Sequence, residues 1–459
     1  MSQKKPNIIL INCDDLGYGD LGCYGSSHNR TPHLDRMAAE GMRFTSFYMA
    51  SSVCSPSRGA MMTGCYPPRI GFGFFADHYR QGHVLYPGHS VGLNPEEITV
   101  AQVLKNANYA TQIVGKWHCG DQPEFLPTRF GFDHYYGLPY SNDMGRQING
   151  RADQPPLPLL RDEAVIEAQP DQSGLTERYV EESVRFIRDH ADRPFFLYFA
   201  HMHVHLPHYP PERFMRTSRN GRYGAAVECI DWSVGVLMRE LRDLGIEDNT
   251  LLLFTSDNGS NARFGGSNIP LRGTKATTWD GGFRVPLIAR WPGVVPEGTV
   301  CDELATAMDF LPTFAALAGQ APPADRPIDG RDIGALLRAE EGAESPHTHF
   351  FYHRTHSLWA VRDRKWKLHL RRGDDRVAEL YDLENDVNER HNVHDDHPDV
   401  VARLTQALDA MRRELGDEKE GIEGAACRPI GRVSDARPLC TFDPTYPYII
   451  AEYDLPDRG

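Results

Sequence analysis

The chain has 459 residues, too many for one simple core and enough for a large domain with a smaller one. Hydrophobic residues make up 40% and charged residues 24%, the balance of a soluble folded protein, which excludes disordered and fibrous classes. The formal charge of -14 excludes the basic footprint of a nucleic-acid binder; any anionic substrate has to be met by a locally positive pocket built against the protein's own field.

In chain order, MSQKKP runs directly into a short apolar segment, residues 7–11. That segment is too short for the apolar part of a signal peptide, and no other approaches a membrane span, so a cytoplasmic chain is expected unless a leader has been removed. Apolar, β-rich runs at 7–11, 110–114, 194–200, 250–255 and 285–289 each end in polar, charged or Gly-rich loops. They read as buried parallel strands. Helical patterns occupy 32–40, 99–106, 175–190 and 225–244. Strand and helix alternating in this way predict a doubly wound α/β domain, whose ligands gather at the carboxyl ends of its strands. Beyond residue 312 the pattern changes. Short strands at 350–352, 357–361 and 365–370 and an amphipathic helix at 399–415 predict a smaller α+β unit on an antiparallel sheet. The last segment, 427–459, is without clear period and reads as an extended strap. The expected division is 1–345 and 346–459, with no internal repeat.

Nine cysteines, at 13, 23, 54, 65, 119, 229, 301, 427 and 440, form an odd set with no CxxC pair, which indicates neither a disulfide framework nor a zinc site. Cys13, Cys119 and Cys229 lie in or beside apolar segments and read as core residues.

The residues that carry chemistry cluster at the predicted strand ends. Asp14 and Asp15 follow the first strand, and Asp257-Asn258 follow the strand at 250–255. Alone, each pair reads as a capping or Asx-turn feature. Together, three carboxylates and one amide oxygen describe a site for a hard cation, calcium or magnesium. Cys54-Ser55-Pro56-Ser57-Arg58, with Thr63-Gly64 shortly after, stands in the first third of the chain; its bland reading is a buried cysteine before a proline turn at a helix start. Gly115-Lys116-Trp117-His118 ends the strand at 110–114. His201, His203, His205 and His208 follow the strand at 194–200, and histidines alternating along an extended chain point the same way, as zinc ligands could. Lys275 lies in Gly273–Gly282, ahead of the strand at 285–289.

Cys-x-Pro-x-Arg followed by Thr-Gly resembles the signature of the formylglycine-dependent sulfatases, a family within the alkaline phosphatase superfamily, and Gly-Lys-Trp-His, Gly-x-Lys with its Gly-Gly, and the Leu380-Tyr381-Asp382-Leu383 string are similar to further elements of it. The resemblance implies that Cys54 is oxidised to formylglycine, whose hydrated form is a geminal diol. An ordinary hydroxyl would end as a stable sulfate ester, whereas the second hydroxyl on the same carbon allows collapse to the aldehyde and expulsion of sulfate. It further implies Asp14, Asp15, Asp257 and Asn258 as ligands of Ca2+ (or Mg2+), with an oxygen of modified Cys54 in the shell. Arg58, Lys116 and Lys275 become sulfate clamps, His118 orients or deprotonates the nucleophile, and His205 protonates the leaving alcohol, with His203 its competitor. Ser141, in Tyr140-Ser141-Asn142-Asp143, touches the site in the same reading.

The implied fold is a large mixed, mostly parallel sheet with a small C-terminal sheet, and the implied partners are an aryl or carbohydrate sulfate ester and a formylglycine-generating maturation enzyme. A phosphonate monoester or phosphodiester hydrolase shares the nucleophile and metal set, but Lys116 and His118 favour a sulfate monoester. A catalytically dead scaffold has no support, because every matched position is occupied. Loops 72–95, 145–172 and 427–459 are expected to shape the pocket for the alcohol; their aromatic residues Phe74, Phe75, Tyr79 and Tyr86 are candidates to contact a sugar or aryl ring, with packing inside the loop the commoner use of any single one.

Overall fold

The computed structural model describes residues 4–76, 81–149, 151, 152, 154–373, 375–443, 445 and 450–459. Strand β1 (Asn7–Cys13) is buried along its whole length, as an unbroken apolar run requires when helices cover both faces of a sheet. It pairs in parallel with two other strands. The strands of the large sheet are, in chain order, β1, β2 (Met42–Phe44), β3 (Ala110–Gly115), β4 (His134–Gly137), β5 (Pro158–Arg161), β6 (Ala164–Ala168), β7 (Phe195–Ala200), β8 (Thr250–Ser256), β9 (Leu287–Arg290) and β10 (Thr299–Cys301). Across the sheet they lie β6-β5-β4-β3-β7-β1-β8-β9-β2-β10.

The centre, β4-β3-β7-β1-β8, is parallel, as expected. β9 is not: it runs antiparallel to both β8 and β2, which corrects the reading of 285–289 as a parallel strand. The chain leaves β8 at the carboxyl edge and stays there through residues 257–286, so it re-enters the sheet from that same edge. A parallel return would have needed a crossover.

Side chains alternate between two cores, as the period of two dictates. Ile8, Leu10, Phe196, Tyr198, Leu251 and Leu253 face one core and Ile9, Ile11, Phe195, Leu197, Phe199, Leu252 and Phe254 the other. Helices α2 (Cys54–Thr63), α3 (Val100–Asn106) and α7 (Phe310–Leu317) cover the first face; α1 (Pro32–Ala39), α4 (Leu175–Asp189) and α5 (Gly221–Asp243) cover the second. A single-turn helix, α6 (Asp280–Phe283), precedes β9.

The second sheet is antiparallel, β11 (Phe350–Arg354), β12 (Ser357–Arg362), β13 (Trp366–Arg372) and β14 (Asp375–Asp382), in that order. Helix α8 (Pro398–Leu415) lies on it through Val400, Leu404, Leu408, Met411 and Leu415. Those side chains keep one face of the helix turned inward, each contributing about 1.5–3 kcal/mol on burial. The helix opens on proline and ends at Gly416, whose φ is 81°, the asymmetry usual for helix ends. The strap after it returns to the large sheet's side: Gly431 and Arg432 pair with Val91 and Gly92, and Tyr453 is buried with its hydroxyl donating to the Pro170 carbonyl at 2.6 Å. Among the described residues no helix is long and apolar enough to cross a membrane, and all nine cysteines are free.

Candidate active site

Parallel pairing brings the carboxyl ends of β3, β7, β1 and β8 to one edge in register: Gly115 is opposite Ala200, Ala200 opposite Asn12, and Cys13 opposite Ser256. The residues that follow are therefore neighbours in space although far apart in sequence, Asp15 and Asn258 by 243 positions. Backbone bonds continue the ladder past the strands, Lys116 N–H to Ala200 O (2.7 Å), His201 N–H to Asn12 O (2.9 Å) and Asp257 N–H to Cys13 O (3.0 Å). Gly115 has φ 112°, and a Cβ there would stand 1.8 Å from the Ala200 carbonyl oxygen, so the turn that delivers Lys116 is open to glycine alone.

Helix α2 delivers the cysteine. Val53 precedes it in extended conformation, Cys54 is its first residue, and all ten residues are buried. The Cys54 thiol donates to Asp14 Oδ1 at 3.2 Å and lies 4.0 Å from Asp15 Oδ1. Arg58, one turn further on and therefore on the same face, donates from Nε to Asp257 Oδ2 (2.8 Å) and from Nη1 to the Lys116 carbonyl (2.7 Å). Its Nη2 stands 3.8 Å from Asp14. The first residue of α2, at the positive end of the helix, is thus in contact with the acidic pair.

Asp14 also holds the Lys116 ammonium. Asp15, with φ 62°, accepts from Asn258 Nδ2 at 2.7 Å and from Lys275 Nζ at 2.9 Å. Lys116 Nζ donates to Ser141 Oγ at 3.1 Å, and that hydroxyl lies 3.3 Å from the ring nitrogens of His205. His205 stands 3.8 Å from Asp15. His118, also left-handed at φ 62°, faces the Leu85 carbonyl through Nε2 at 3.0 Å, and its buried Nδ1 has no partner among the described residues.

His203 lies elsewhere. Its carbonyl accepts from Asp14 N–H, but its ring is buried with neither nitrogen bonded among the described residues. Of the two histidines, His205 alone lines the cavity beside Cys54.

Charge in the cluster is strongly coupled. Burial opposes ionisation of Asp14, yet Lys116, His205, Arg58 and Lys275 hold its carboxyl well below the usual range. Asp257 moves the other way: burial and the negative Asp14 push it up to about 7. Burial and then the charges of Asp14 and Asp257 raise the Cys54 thiol. His118 is held neutral by burial and by Lys116, and His205 is lowered by burial and Lys275.

The donor set suits a divalent cation. Ligand atoms of Asp14, Asp15, Cys54 and His205 lie within 4.8 Å of one another, two lysine ammonium groups already rest on the two carboxylates, and the buried Asn258 Oδ1 has no partner among the described residues. Asp257 is less free, with its oxygens engaged by Arg58 and by Asp15 N–H at 3.2 Å.

A cavity of about 450 Å³ opens on this cluster, lined by Cys54, His118, Ser141, His205 and Lys275. All three loops expected to shape it contribute: His83, Val84 and Tyr86 from the first, Arg151 from the second, Arg458 and Gly459 from the strap. Phe75 instead packs edge-on against the core residue Phe72, Phe74 packs against His83, and Tyr79 lies outside the described residues. Nothing in the sequence singled out Arg151 or Arg458, since single arginines in aperiodic segments carry no pattern.

The sulfatase family profile matches residues 6–320, and a second profile, N-sulphoglucosamine sulphohydrolase, C-terminal, matches 274–414. The chain is similar to N-acetylgalactosamine-6-sulfatase of Canis lupus familiaris, 44% identical over 382 residues, covering 80% of this chain and 72% of the relative. It is 38% identical over 454 residues to arylsulfatase A of Homo sapiens, covering 89% of this chain and 87% of that one. The solved structure of the PsFucS1 sulfatase from Pseudoalteromonas sp. superposes with a TM-score of 0.80 at 29% identity, covering 89% of this chain and 90% of that one.

Proposed function

This chain belongs to the sulfatase family and is a sulfuric ester hydrolase, and we propose that it works through formylglycine at position 54 and a calcium ion held by Asp14, Asp15, Asp257 and Asn258. The observation that carries this reading is the position of Cys54: the first residue of a buried helix, its sulfur against Asp14 and Asp15 at the floor of the cavity. The sulfur marks where an oxygen of the hydrated aldehyde stands. Formylglycine supplies a geminal diol, one oxygen to attack sulfur and the other to allow release of sulfate, and the cation supplies positive charge at the sulfate oxygens.

The protein's own residues do the rest. Lys116 and Lys275, now resting on Asp14 and Asp15, take the sulfate oxygens and stabilise the charge that grows toward the leaving oxygen. Arg58, fully buried, holds Asp257 and the turn at Lys116 in place. His118 keeps a neutral Nδ1 in the site, unbonded among the described residues, the form a proton acceptor needs. His205, steered by Ser141 on the cavity side, hands a proton to the departing alcohol. With a divalent cation added to Arg58, Lys116 and Lys275, the pocket would be cationic while the molecule is not, which would answer the demand posed by the charge of -14.

A phosphonate or phosphodiester reading has less support, because the relatives are sulfatases. The alcohol is proposed to be a sugar or aryl unit, which a cavity of about 450 Å³ accommodates, and a maturation enzyme acting on the Cys54 segment is the implied partner.

The test is one preparation of active enzyme. Its Cys54 peptide should weigh about 18 Da less than the thiol form, its bound metal should be calcium, and kcat/KM should be higher on an aryl sulfate than on the matched aryl phosphonate. A fully active chain with an unmodified thiol refutes the nucleophile, and the reverse substrate preference refutes the sulfate assignment.

A further inference from the structure

Lys275 is carried on a loop without helix or strand, turned on itself by Thr277, whose N–H (3.1 Å) and hydroxyl (2.6 Å) both donate to the Thr274 carbonyl. Gly273 and Ala276 are both left-handed, at φ 89° and 64°, and the tip is fixed by two backbone bonds, Lys275 N–H to Ser260 O (3.1 Å) and Ala276 N–H to Ser52 O (2.9 Å). The second ties the loop to the residues just before Cys54. The loop's neck, where residue 272 meets residue 281, is closed by Gly281 N–H to Arg272 O at 2.7 Å.

Both sides of that neck are held by one residue of the C-terminal sheet's own loop. Glu389 follows β14 with φ 52° and is fully buried. Its carbonyl accepts from Arg272 Nη1 at 2.5 Å, before the loop. Its carboxylate accepts from Asp280 N–H at 2.9 Å, after the loop. The same carboxylate is neutralised by Lys367 at 2.8 Å and bonded by His369 at 3.0 Å, both from β13. Lys367 reaches on to Asp280 Oδ1 at 2.8 Å. The His369 ring packs on Trp279 with centroids 4.5 Å apart, and the Arg272 guanidinium covers that indole at 3.8 Å.

We propose that Glu389, acting with Arg272, is a positioning residue for Lys275: the C-terminal sheet clamps both ends of the Lys275 loop, so the placement of a sulfate-binding cation depends on a part of the chain that contributes no group to the sulfate itself. The clamp rests on the sulfatase reading for its effect on turnover, but not for its effect on the loop. Misplacing an ammonium by an ångström costs catalysis out of proportion to the energy of the lost contact, so weakening the clamp acts through Lys275 and has nothing to act on when Lys275 is gone.

The experiment is a pair of double-mutant cycles on the full-length, matured chain: Glu389→Gln and Arg272→Gln, each alone and with Lys275→Ala, assayed on an aryl sulfate. Each variant should lower kcat/KM about tenfold or more when Lys275 is present and less than about twofold when it is not. Hydrogen exchange gives a measure independent of turnover. The amides of Lys275 and Ala276 should exchange about tenfold faster in each clamp variant while those of β1 do not change. If the buried Glu389→Gln does not fold, Arg272→Gln, which touches only a partly exposed side chain, decides the matter alone. Equal losses in both backgrounds overturn the clamp, as does unchanged exchange at 275 and 276. A folded chain that turns over no sulfate ester refutes the sulfatase reading instead, and leaves exchange to judge the clamp.

Discussion

His203 and His205 are separated by one residue and face different surroundings. His203 has burial as the main cause of a pKa lowered to about 3, and its ring meets no polar partner among the described residues. His205 shares a hydroxyl with Lys116 through Ser141 and lines the cavity. On this geometry we propose His205, and not His203, as the proton donor to the leaving alcohol. Its replacement by alanine should lower kcat/KM by about 10²–10⁴-fold on an alkyl sulfate and much less on a nitrophenyl sulfate, whose leaving group needs no proton. His203→Ala should show the same fractional effect on both esters; a leaving-group dependence at His203 rather than His205 reverses the assignment. The alternation of histidines was visible in the sequence, but choosing between them needed the fold: whether a ring points at Ser141 or into the core depends on how the segment after β7 packs, and local spacing does not encode it.

At the scale of elements, helices and strands followed their residue patterns closely where the pattern was long. Helix α4 keeps Leu175, Tyr179, Phe186 and Ile187 inward, and β8 is buried throughout. Short strands at or next to the sheet's edges, such as β2, β5 and β6, escaped the sequence reading, because three to five residues hold too little periodicity. Capping was also hidden. Helix α1 has no side-chain bond from its own N-cap residue, Thr31; Asp231 of α5 caps it instead, accepting from Leu34 N–H at 2.8 Å and His33 N–H at 3.0 Å. This bond ties two helices on one face of the sheet, so Asp231→Ala should lower stability by about 1–2 kcal/mol, read as a shift in the urea midpoint with kcat on an aryl sulfate retained. A loss of activity with unchanged stability would mean that the cap serves the site and not the helix.

Across the whole molecule, the joint between the two sheets is an apolar and aromatic cluster with a buried polar network inside it. Asp280 receives Lys367, the Tyr48 hydroxyl at 2.6 Å and the Tyr352 hydroxyl at 2.7 Å, and Arg362 donates to the Tyr48 oxygen. Burial opposes ionisation of Asp280, but Lys367, Arg284 and Arg362 outweigh it and hold the carboxyl well below its ordinary value. A carboxylate depressed on folding adds stability that is complete above its unfolded pKa of about 4 and is lost as pH falls further toward the folded value. Acidification below about pH 4 should therefore loosen the joint. Asp280→Asn should flatten the dependence of unfolding free energy on pH below 4, while costing about 3–5 kcal/mol at neutral pH because it leaves Lys367 less well compensated. An unchanged acid slope in that variant would show that other carboxylates control it.

The reaction class and the central frame of the fold were legible in the residues alone. Residue types at strand ends, and a cysteine set before proline and arginine, are local facts, and a central strand advertises itself by an apolar run whatever it pairs with. Tertiary structure alone decided the rest: β9 runs antiparallel, His205 and not His203 faces the cavity, Arg151 and Arg458 line its wall, and Glu389 grips the loop of Lys275 from 109 or more residues away. These depend on contacts between distant segments, and such contacts are set by how two cores and a twisted sheet pack together rather than by the residues on either side of each position.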